Sequence, residues 1–384
     1  MEAPITIIGS GHAGITLARE LRRLSPEQAI RVLTLEDGHY SYKPDLSKAF
    51  AAGKDATGLI KNTAEQLVDQ LKIELKPHTR VTRIEPAAHR VWVGDAAYEY
   101  SKLVLALGAT PIRLPLTGAA ADAVLTVNDR EDYERFRQAL PAGAAVLIIG
   151  AGLIGCEFAN DLSAHGHTVH VADLAGWPLP RLLPQVQGEA LKAALSGLGV
   201  QWHLSTSISA LEREGGAIRA RFANGSEALV QVVLSAVGLK ANTQLAAEAG
   251  LTVKTGIVVD DRLQTSAPDV YALGDCVEIN GRLLPYILPI ANSIKALSAT
   301  LTGTPTKAKF PAMPVIVKTP ICPTLVNPPP AVPGAWEVTG TAPDLEALFK
   351  DADGKPQGFA LTGAAVSKRS QYVPLMPVVY DPTL

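Results

Sequence analysis

The sequence predicts an α/β fold with two Rossmann-like parallel-sheet domains followed by a small α+β C-terminal domain. Three observations carry this. GSGHAG at residues 9–14 and GAGLIG at 150–155 share the GxGxxG spacing of a dinucleotide-binding turn; each follows an apolar strand and opens a helix; and a tail of about 70 residues reads as short β-branched runs of its own. At 384 residues the chain exceeds the roughly 250–300 over which one core keeps growing, so several domains are expected. Apolar residues make up 47% and charged residues 19%, enough for sizeable cores and too few charges for disorder.

The first unit is a strand near 4–8, the turn, a helix near 12–24 and a strand near 30–36. Ala13, Leu17, Leu21 and Leu24 recur at helical spacing, whereas ITII and IRVLTL are the β-branched runs of buried parallel strands. KLVLALGATPIRLP, residues 102–115, is an apolar strand ending in Gly and Pro, which places a boundary near 110. The second unit repeats the first: strand 144–150, helix 153–165 and strand 167–173. Nothing recurs at 20–50 residues, so the copies are separate folds and not turns of a solenoid. LVQVVLSAVGLKANTQL, 229–245, again runs from apolar strand to Gly-containing turn at Gly238 and reads as a return crossing to the first domain. In the tail, VIVKT, WEVTG and GFALTGAAV are strand-like, and NPPPAVPG at 327–334 reads as an ordered loop.

In a GxGxxG turn the first Gly permits the tight reversal, the second lets backbone approach a pyrophosphate, and the third brings helix and strand close. The helix N-terminus then offers unpaired N–H groups and its positive dipole end to the diphosphate. The signal gains weight from an acid about 20 residues on, at the end of the next strand. Glu36 stands 22 residues after Gly14, and Asp173 stands 18 after Gly155. An acid there accepts from a ribose 2′-OH and repels a 2′-phosphate, so Asp173 predicts NADH over NADPH; Arg181, close by in sequence, is the residue that could receive a phosphate instead. Two dinucleotide sites on one chain imply FAD plus NAD(H), with hydride passing from nicotinamide to flavin.

The formal net charge of -2 gives no global attraction to nucleic acid or anionic membrane. Apolar stretches are broken by Gly, Asn or charge before about 18 residues, so no membrane span is expected. The strand-like PITIIG follows the first Met too closely for a secretion signal, and a cytoplasmic protein is expected. Cys156, Cys276 and Cys322 are odd in number and widely spaced, which argues against a disulfide framework and a zinc site. The eight histidines lack metal-ligand spacing, so no metal is assigned; His165 and His167 bracket a Gly in a helix-capping pattern.

TSAPDVYALGDC at 265–276 resembles the T-S-x-P-x-V-Y-A-x-G-D signature of the pyridine nucleotide flavoprotein reductases, and LALGATP at 105–111 resembles their ATG hinge, which contains Gly108. The order of these motifs and the two turns implies that family's glutathione-reductase-like architecture. It implies FAD on the first turn (Gly9, Ser10, Gly11, His12, Ala13, Gly14) with Glu36, and NAD(H) on the second (Gly150, Gly152, Gly155) with Asp173 and Gly238. By the same resemblance Gly274 and Asp275 hold the ribityl chain, the backbone of Val81 in HTRVTRIEP meets the adenine, and backbone amides at Ile287 in LLPYILPI cap the pyrimidine edge of the flavin.

The disulfide branch of the family carries CxxxxC on a flavin-facing helix around residues 40–55. Here that stretch is HYSYKPDLSKAF, without cysteine, so electrons are expected to leave from the flavin itself. KPDLSK resembles the RPPLSK of reductases that feed small iron proteins. SYKPDLS, GLIGCEFANDL (152–162), VKTPICPTLVNPPP (317–330) and GFALTGAAV (358–366) resemble the rubredoxin reductases of bacterial alkane oxidation, a likeness that reaches the tail. It implies Lys43 or Lys48 as a cation beside the flavin, paired with Glu157, and Lys318 in VKTP aimed at the flavin from the tail.

The expected domains are 1–110 with 240–314 for FAD, 111–239 for NAD(H), and 315–384. The resemblance implies an NADH-dependent enzyme that passes electrons through FAD, one at a time, to rubredoxin. A monomer is favoured. An acidic partner calls for a basic docking patch, for which Lys307 with Lys309 and Lys368 with Arg369 are candidates. Rival readings are a ferredoxin or flavorubredoxin reductase on the same core and a non-turnover NADH sensor; an NADH oxidase or peroxidase generally needs the flavin-facing cysteine absent here.

Overall fold

The computed structural model describes residues 3–382. The β-branched runs form two separate parallel sheets, as their continuous apolar character requires. In the first, the strand order is Val270–Ala272, Lys102–Leu105, Ile5–Ile8, Ile30–Leu33, Glu74–Lys76. In the second it is Val124–Leu125, Val232–Ser235, Ala145–Ile149, Thr168–Asp173, Gln201–Leu204. In both sheets the strand before the glycine turn is central and its βαβ partner lies beside it.

Helix His12–Leu24 buries Ile15, Leu17, Ala18 and Leu21 on the first sheet. Leu24 shares their spacing but is 41% exposed, because the helix ends at that residue. Helix Ile287–Leu301 adds Ile290, Ile294, Leu297 and Leu301 to the same core. Helix Leu153–Ala164, the counterpart in the second unit, is buried almost throughout and carries Glu157, Asn160 and Asp161 inside. Buried polar side chains need partners, and these three find theirs in other parts of the chain.

The chain leaves the first sheet through Ala109–Pro111 and returns through Leu239–Ala241, and these two short strands pair antiparallel. The tail folds as a five-stranded antiparallel sheet ordered Val315–Val317, Thr324–Asn327, Pro356–Thr362, Asp344–Asp351, Gly334–Thr341. Its Pro-rich connection packs closely on the neighbouring strand: a side chain on Gly358 would lie 2.7 Å from the Pro329 nitrogen. One face of this sheet, through Val315, Val317, Val326 and Ala360, joins a core with Val146, Ile148, Phe158 and Leu162 of the second unit. Leu46, Ala49, Ala56 and Leu59 belong to that core too, although they lie in sequence between strands of the first sheet. The three cysteines are buried and free, and among the described residues no helix is long and apolar enough to cross a membrane.

Candidate functional site

Both glycine turns have the geometry their spacing predicts. Gly9 (φ 114°) and Gly150 (φ 108°) lie in the left-handed region, and a Cβ there would stand 2.3 Å from the Ala106 oxygen and 2.7 Å from the Ala236 oxygen. At Gly14 and Gly155 a Cβ would stand 2.0 Å and 1.9 Å from the carbonyl oxygens of Gly9 and Gly150, so only glycine lets each helix close on its turn. At Gly11 and Gly152, by contrast, a Cβ would meet nothing within 4 Å. Both are helix N-caps without a side-chain cap, so the leading N–H groups of each helix face open ground where backbone can approach a phosphate. The turns therefore fit two dinucleotides.

Around the first turn the Ser10 hydroxyl donates to Thr34 Oγ1 at 2.8 Å, and the Glu36 N–H donates to the same oxygen at 3.3 Å. Gly274 (φ 89°), next to Asp275 in sequence, packs against the turn: a Cβ on it would lie 3.0 Å from Ala13 Cβ. Burial pushes the Glu36 and Asp275 carboxyls up, and the nearby Lys43 ammonium pulls both back. Lys43 thus lies close enough to act electrostatically on both acids expected to hold FAD. His12, first in the helix, shares a hydrogen bond with the Tyr40 hydroxyl at 2.9 Å, and burial lowers its pKa. Val81 is a half-buried loop residue against the first core, Ile287 opens a 15-residue helix, and Gly108 has φ 65° with open space beside it. Arg130 of the second unit pairs with Asp37, next to Glu36.

At the second turn the Asp173 carboxylate accepts the Ala151 N–H at 2.6 Å and the Ala175 N–H at 2.8 Å. The acid is thereby locked to the glycine loop itself, and each oxygen keeps a lone pair for a ribose hydroxyl. Gly238 (φ 120°) faces Ile112, and Arg181 is exposed. The Cys156 thiol, pushed far up by burial, donates to the Ala151 oxygen. Burial pushes Cys276 up to about 11, so neither thiol is a nucleophile at neutral pH.

The two units and the tail meet on helix Leu153–Ala164. Glu157, 0% exposed, accepts the Lys318 ammonium at 2.7 Å, the Lys318 N–H at 3.0 Å and the Ser47 hydroxyl at 2.5 Å. One turn on, Asp161 accepts the N–H groups of Phe50 and Ala51, both at 3.0 Å, and Asn160 accepts the Ile321 N–H at 3.3 Å. Arg137 lies 4.0 Å over the Phe50 ring. The helix that opens at the second glycine turn therefore also holds residues 47–51 and the tail loop in place.

The expected pairing of Lys43 or Lys48 with Glu157 is corrected: the cation on Glu157 is Lys318. Residues 43–48 form a 3-10 helix, in which positions i and i+3 share a side. Lys48 consequently sits over Asp45 at 3.1 Å, its side chain 51% exposed, with Lys61 on the same acid. Lys48 is thus a solvated lysine, and Lys43 acts electrostatically on Glu36 and Asp275. The expected docking lysines are also paired: Lys307 with Asp261 at 2.7 Å, Lys309 with Asp381 at 3.1 Å, and Lys368 with Glu346 at 2.5 Å. Sequence reasoning missed Ser47, Asn160 and Asp161, whose partners lie more than 100 positions away in the chain.

Two uncapped glycine turns, each with an acid at the next strand end, and a buried ion pair that joins their domains to a third define a two-nucleotide oxidoreductase. Residues 3–298 match the model of the pyridine nucleotide-disulphide oxidoreductases, and residues 307–376 match that of the rubredoxin binding C-terminal domain. The chain belongs to the pyridine nucleotide-disulphide oxidoreductase family. It is 42% identical over 378 residues to the rubredoxin-NAD(+) reductase of Alcanivorax borkumensis, covering 98% of this chain and 99% of that protein. It is 38% identical to the nitric oxide reductase FlRd-NAD(+) reductase of Aeromonas salmonicida, over 94% of each. Among solved structures, the ferredoxin reductase for the CYP199A2 system from Rhodopseudomonas palustris superposes with a TM-score of 0.86 at 26% identity, covering 95% of this chain and 92% of that one.

Proposed function

We infer that the chain is an NADH-dependent reductase that passes electrons through FAD to rubredoxin, one at a time, in an alkane hydroxylation chain. The carrying observation is the ion pair between Lys318 and Glu157: the tail, which matches a rubredoxin binding domain, supplies a cation to the junction of the two nucleotide domains. FAD, when bound, supplies the conversion of a two-electron donor into single electrons. The chain's own residues bind and orient. The first turn, with Ser10, Glu36, Gly274 and Asp275, would hold FAD, and the second, with Asp173, would hold NADH by its adenosine ribose. The cluster of Lys318, Glu157 and Ser47 would hold the Lys318 ammonium, together with its countercharge, where the flavin gains electrons, a short-range electrostatic role that needs no general acid or base. A cytoplasmic location suits buried free thiols.

Stopped-flow absorbance tests this: the yellow protein is mixed anaerobically with NADH, then with rubredoxin or a plant-type ferredoxin. Fast bleaching followed by much faster rubredoxin than ferredoxin reduction is expected. Equal, slow transfer to both acceptors would remove the rubredoxin assignment and leave the NADH–flavin core. Flavorubredoxin is the second reading, favoured by the 38% identity to the Aeromonas protein; adding its rubredoxin-like domain as a third acceptor separates the two.

A further inference from the structure

We propose that Ser47 is a positioning residue that fixes the Lys318 ammonium in the cluster with Glu157. The proposal rests on the reading of this junction as the flavin site, and its test needs no electron acceptor. A lysine ammonium has three N–H donors and no acceptor. Here the donors are matched by Glu157 Oε2 at 2.7 Å, the Pro44 oxygen at 2.7 Å and Ser47 Oγ at 3.0 Å. The direction of the Ser47 hydroxyl is therefore settled: it accepts from Lys318 and donates its single proton to Glu157 Oε2 at 2.5 Å.

Ser47 is 3% exposed, so water is a poor replacement for the hydroxyl. Its own place is set by the helix that carries Glu157, because Asp161 on that helix accepts the N–H groups of Phe50 and Ala51, just beyond Ser47. The three members come from three parts of the chain: Ser47 from the segment between strands of the first sheet, Glu157 from the second unit, Lys318 from the tail. Without the hydroxyl both charges remain, but the flexible four-carbon stem of Lys318 loses one of three fixed points. A cation held beside a flavin stabilises the reduced, anionic form, and a loosely held one does so less. Ser47 thus acts through Lys318 and not on the reacting atoms.

The test is the equilibrium between NADH and NAD+ and the bound flavin of the holoprotein, read by flavin absorbance under anaerobic conditions. Wild type is compared with Ser47→Ala, Lys318→Met and the double variant. We expect Ser47→Ala to shift the equilibrium toward oxidised flavin by about tenfold, within the range of directly coupled pairs. Lys318→Met should shift it at least as far, and the double variant should match Lys318→Met alone. An unchanged equilibrium in Ser47→Ala overturns the proposal, as does an equal shift in the presence and absence of Lys318. A lowered thermal midpoint with an unmoved equilibrium marks a merely structural serine and also overturns it. Wild-type flavin that NADH fails to bleach would instead sink the underlying reading of the site.

Discussion

The Lys318 ammonium lies 2.7 Å from Glu157 Oε2, and the Lys318 backbone N–H lies 3.0 Å from Glu157 Oε1. One residue of the tail thus engages both oxygens of a carboxylate buried in a helix of the second unit. Removing one partner of such a pair leaves an uncompensated buried charge, a loss of about 3–5 kcal/mol. The Lys318 side chain keeps 24% exposure, which places Lys318→Met near the lower end of that range. The apparent thermal midpoint should fall by several degrees. Glu157→Gln should lower it as well, because the amide leaves the Lys318 ammonium without its countercharge and points an NH2 donor at groups that themselves donate. Equal midpoints for Lys318→Met and wild type would show that the pair contributes nothing to the junction.

The glycines of each turn should separate fold from ligand. At Gly155 a Cβ would stand 1.9 Å from the Gly150 oxygen, and at Gly152 it would meet nothing. Gly155→Ala must therefore push helix from strand and destabilise the second unit by about 1–3 kcal/mol or more. Gly152→Ala should leave the thermal midpoint nearly unchanged while weakening NADH binding, since the methyl occupies the approach to the phosphates. The parallel pair, Gly14→Ala and Gly11→Ala, should act on FAD retention in the same way. A Gly152→Ala protein with native stability and native NADH affinity would count against a pyrophosphate at this turn.

These local units are what the sequence makes legible. Strand, turn, helix and closing acid all fall within about 30 residues, so spacing alone places Gly9 to Glu36 and Gly150 to Asp173. The junction is different. Ser47 is 110 residues from Glu157, Asp161 is 111 from Phe50, and Lys318 is 161 from Glu157, and no periodicity reports a contact between such positions. Family likeness selects Glu157 and Lys318 but attaches the wrong lysine, because the local 3-10 geometry that turns Lys48 onto Asp45 is not written in the KPDLSK pattern.

Asp173 should decide between the two nicotinamide cofactors. Its carboxylate is held by the Ala151 and Ala175 N–H groups, so the negative charge cannot swing away from a 2′-phosphate. Asp173→Ala should lower the ratio of kcat/KM for NADH to that for NADPH by tenfold or more, the worth of about 1.4 kcal/mol. The variant also strands two N–H groups, so a modest fall in thermal midpoint is expected alongside. An unchanged ratio would remove the ribose assignment.

His170 Nδ1 and His203 Nε2 lie 3.1 Å apart, and His203 stacks on Phe222 at 4.1 Å between ring centroids. Burial lowers the pKa of both, and at His170 the facing His203 lowers it further. With folded values below 6.5, the unfolded chain takes up protons first as pH falls. The stability contributed by the neutral pair is therefore complete above about pH 6.5 and is lost below it, by at most about 1.4 kcal/mol per pH unit for each imidazole. The double variant His170→Gln/His203→Gln should show a shallower fall in thermal midpoint between pH 6.5 and 5 than wild type. Identical slopes would place the acid sensitivity elsewhere.

Docking of the acceptor should depend little on the lysines that sequence alone singles out. Lys307, Lys309 and Lys368 each face a carboxylate, Asp261, Asp381 and Glu346, and Lys368 shares Glu346 with the Tyr372 hydroxyl. Paired charges of opposite sign produce little field beyond a Debye length, about 8 Å at physiological ionic strength. Neutralising Lys307, Lys309 and Lys368 together should accordingly change the KM for rubredoxin by no more than about threefold, since surface pairs contribute about 0–1 kcal/mol. It should also leave the salt dependence of the second-order rate almost unaltered. A rise in KM of an order of magnitude, with a flattened salt dependence, would mean that the acceptor displaces these carboxylates and meets the cations directly.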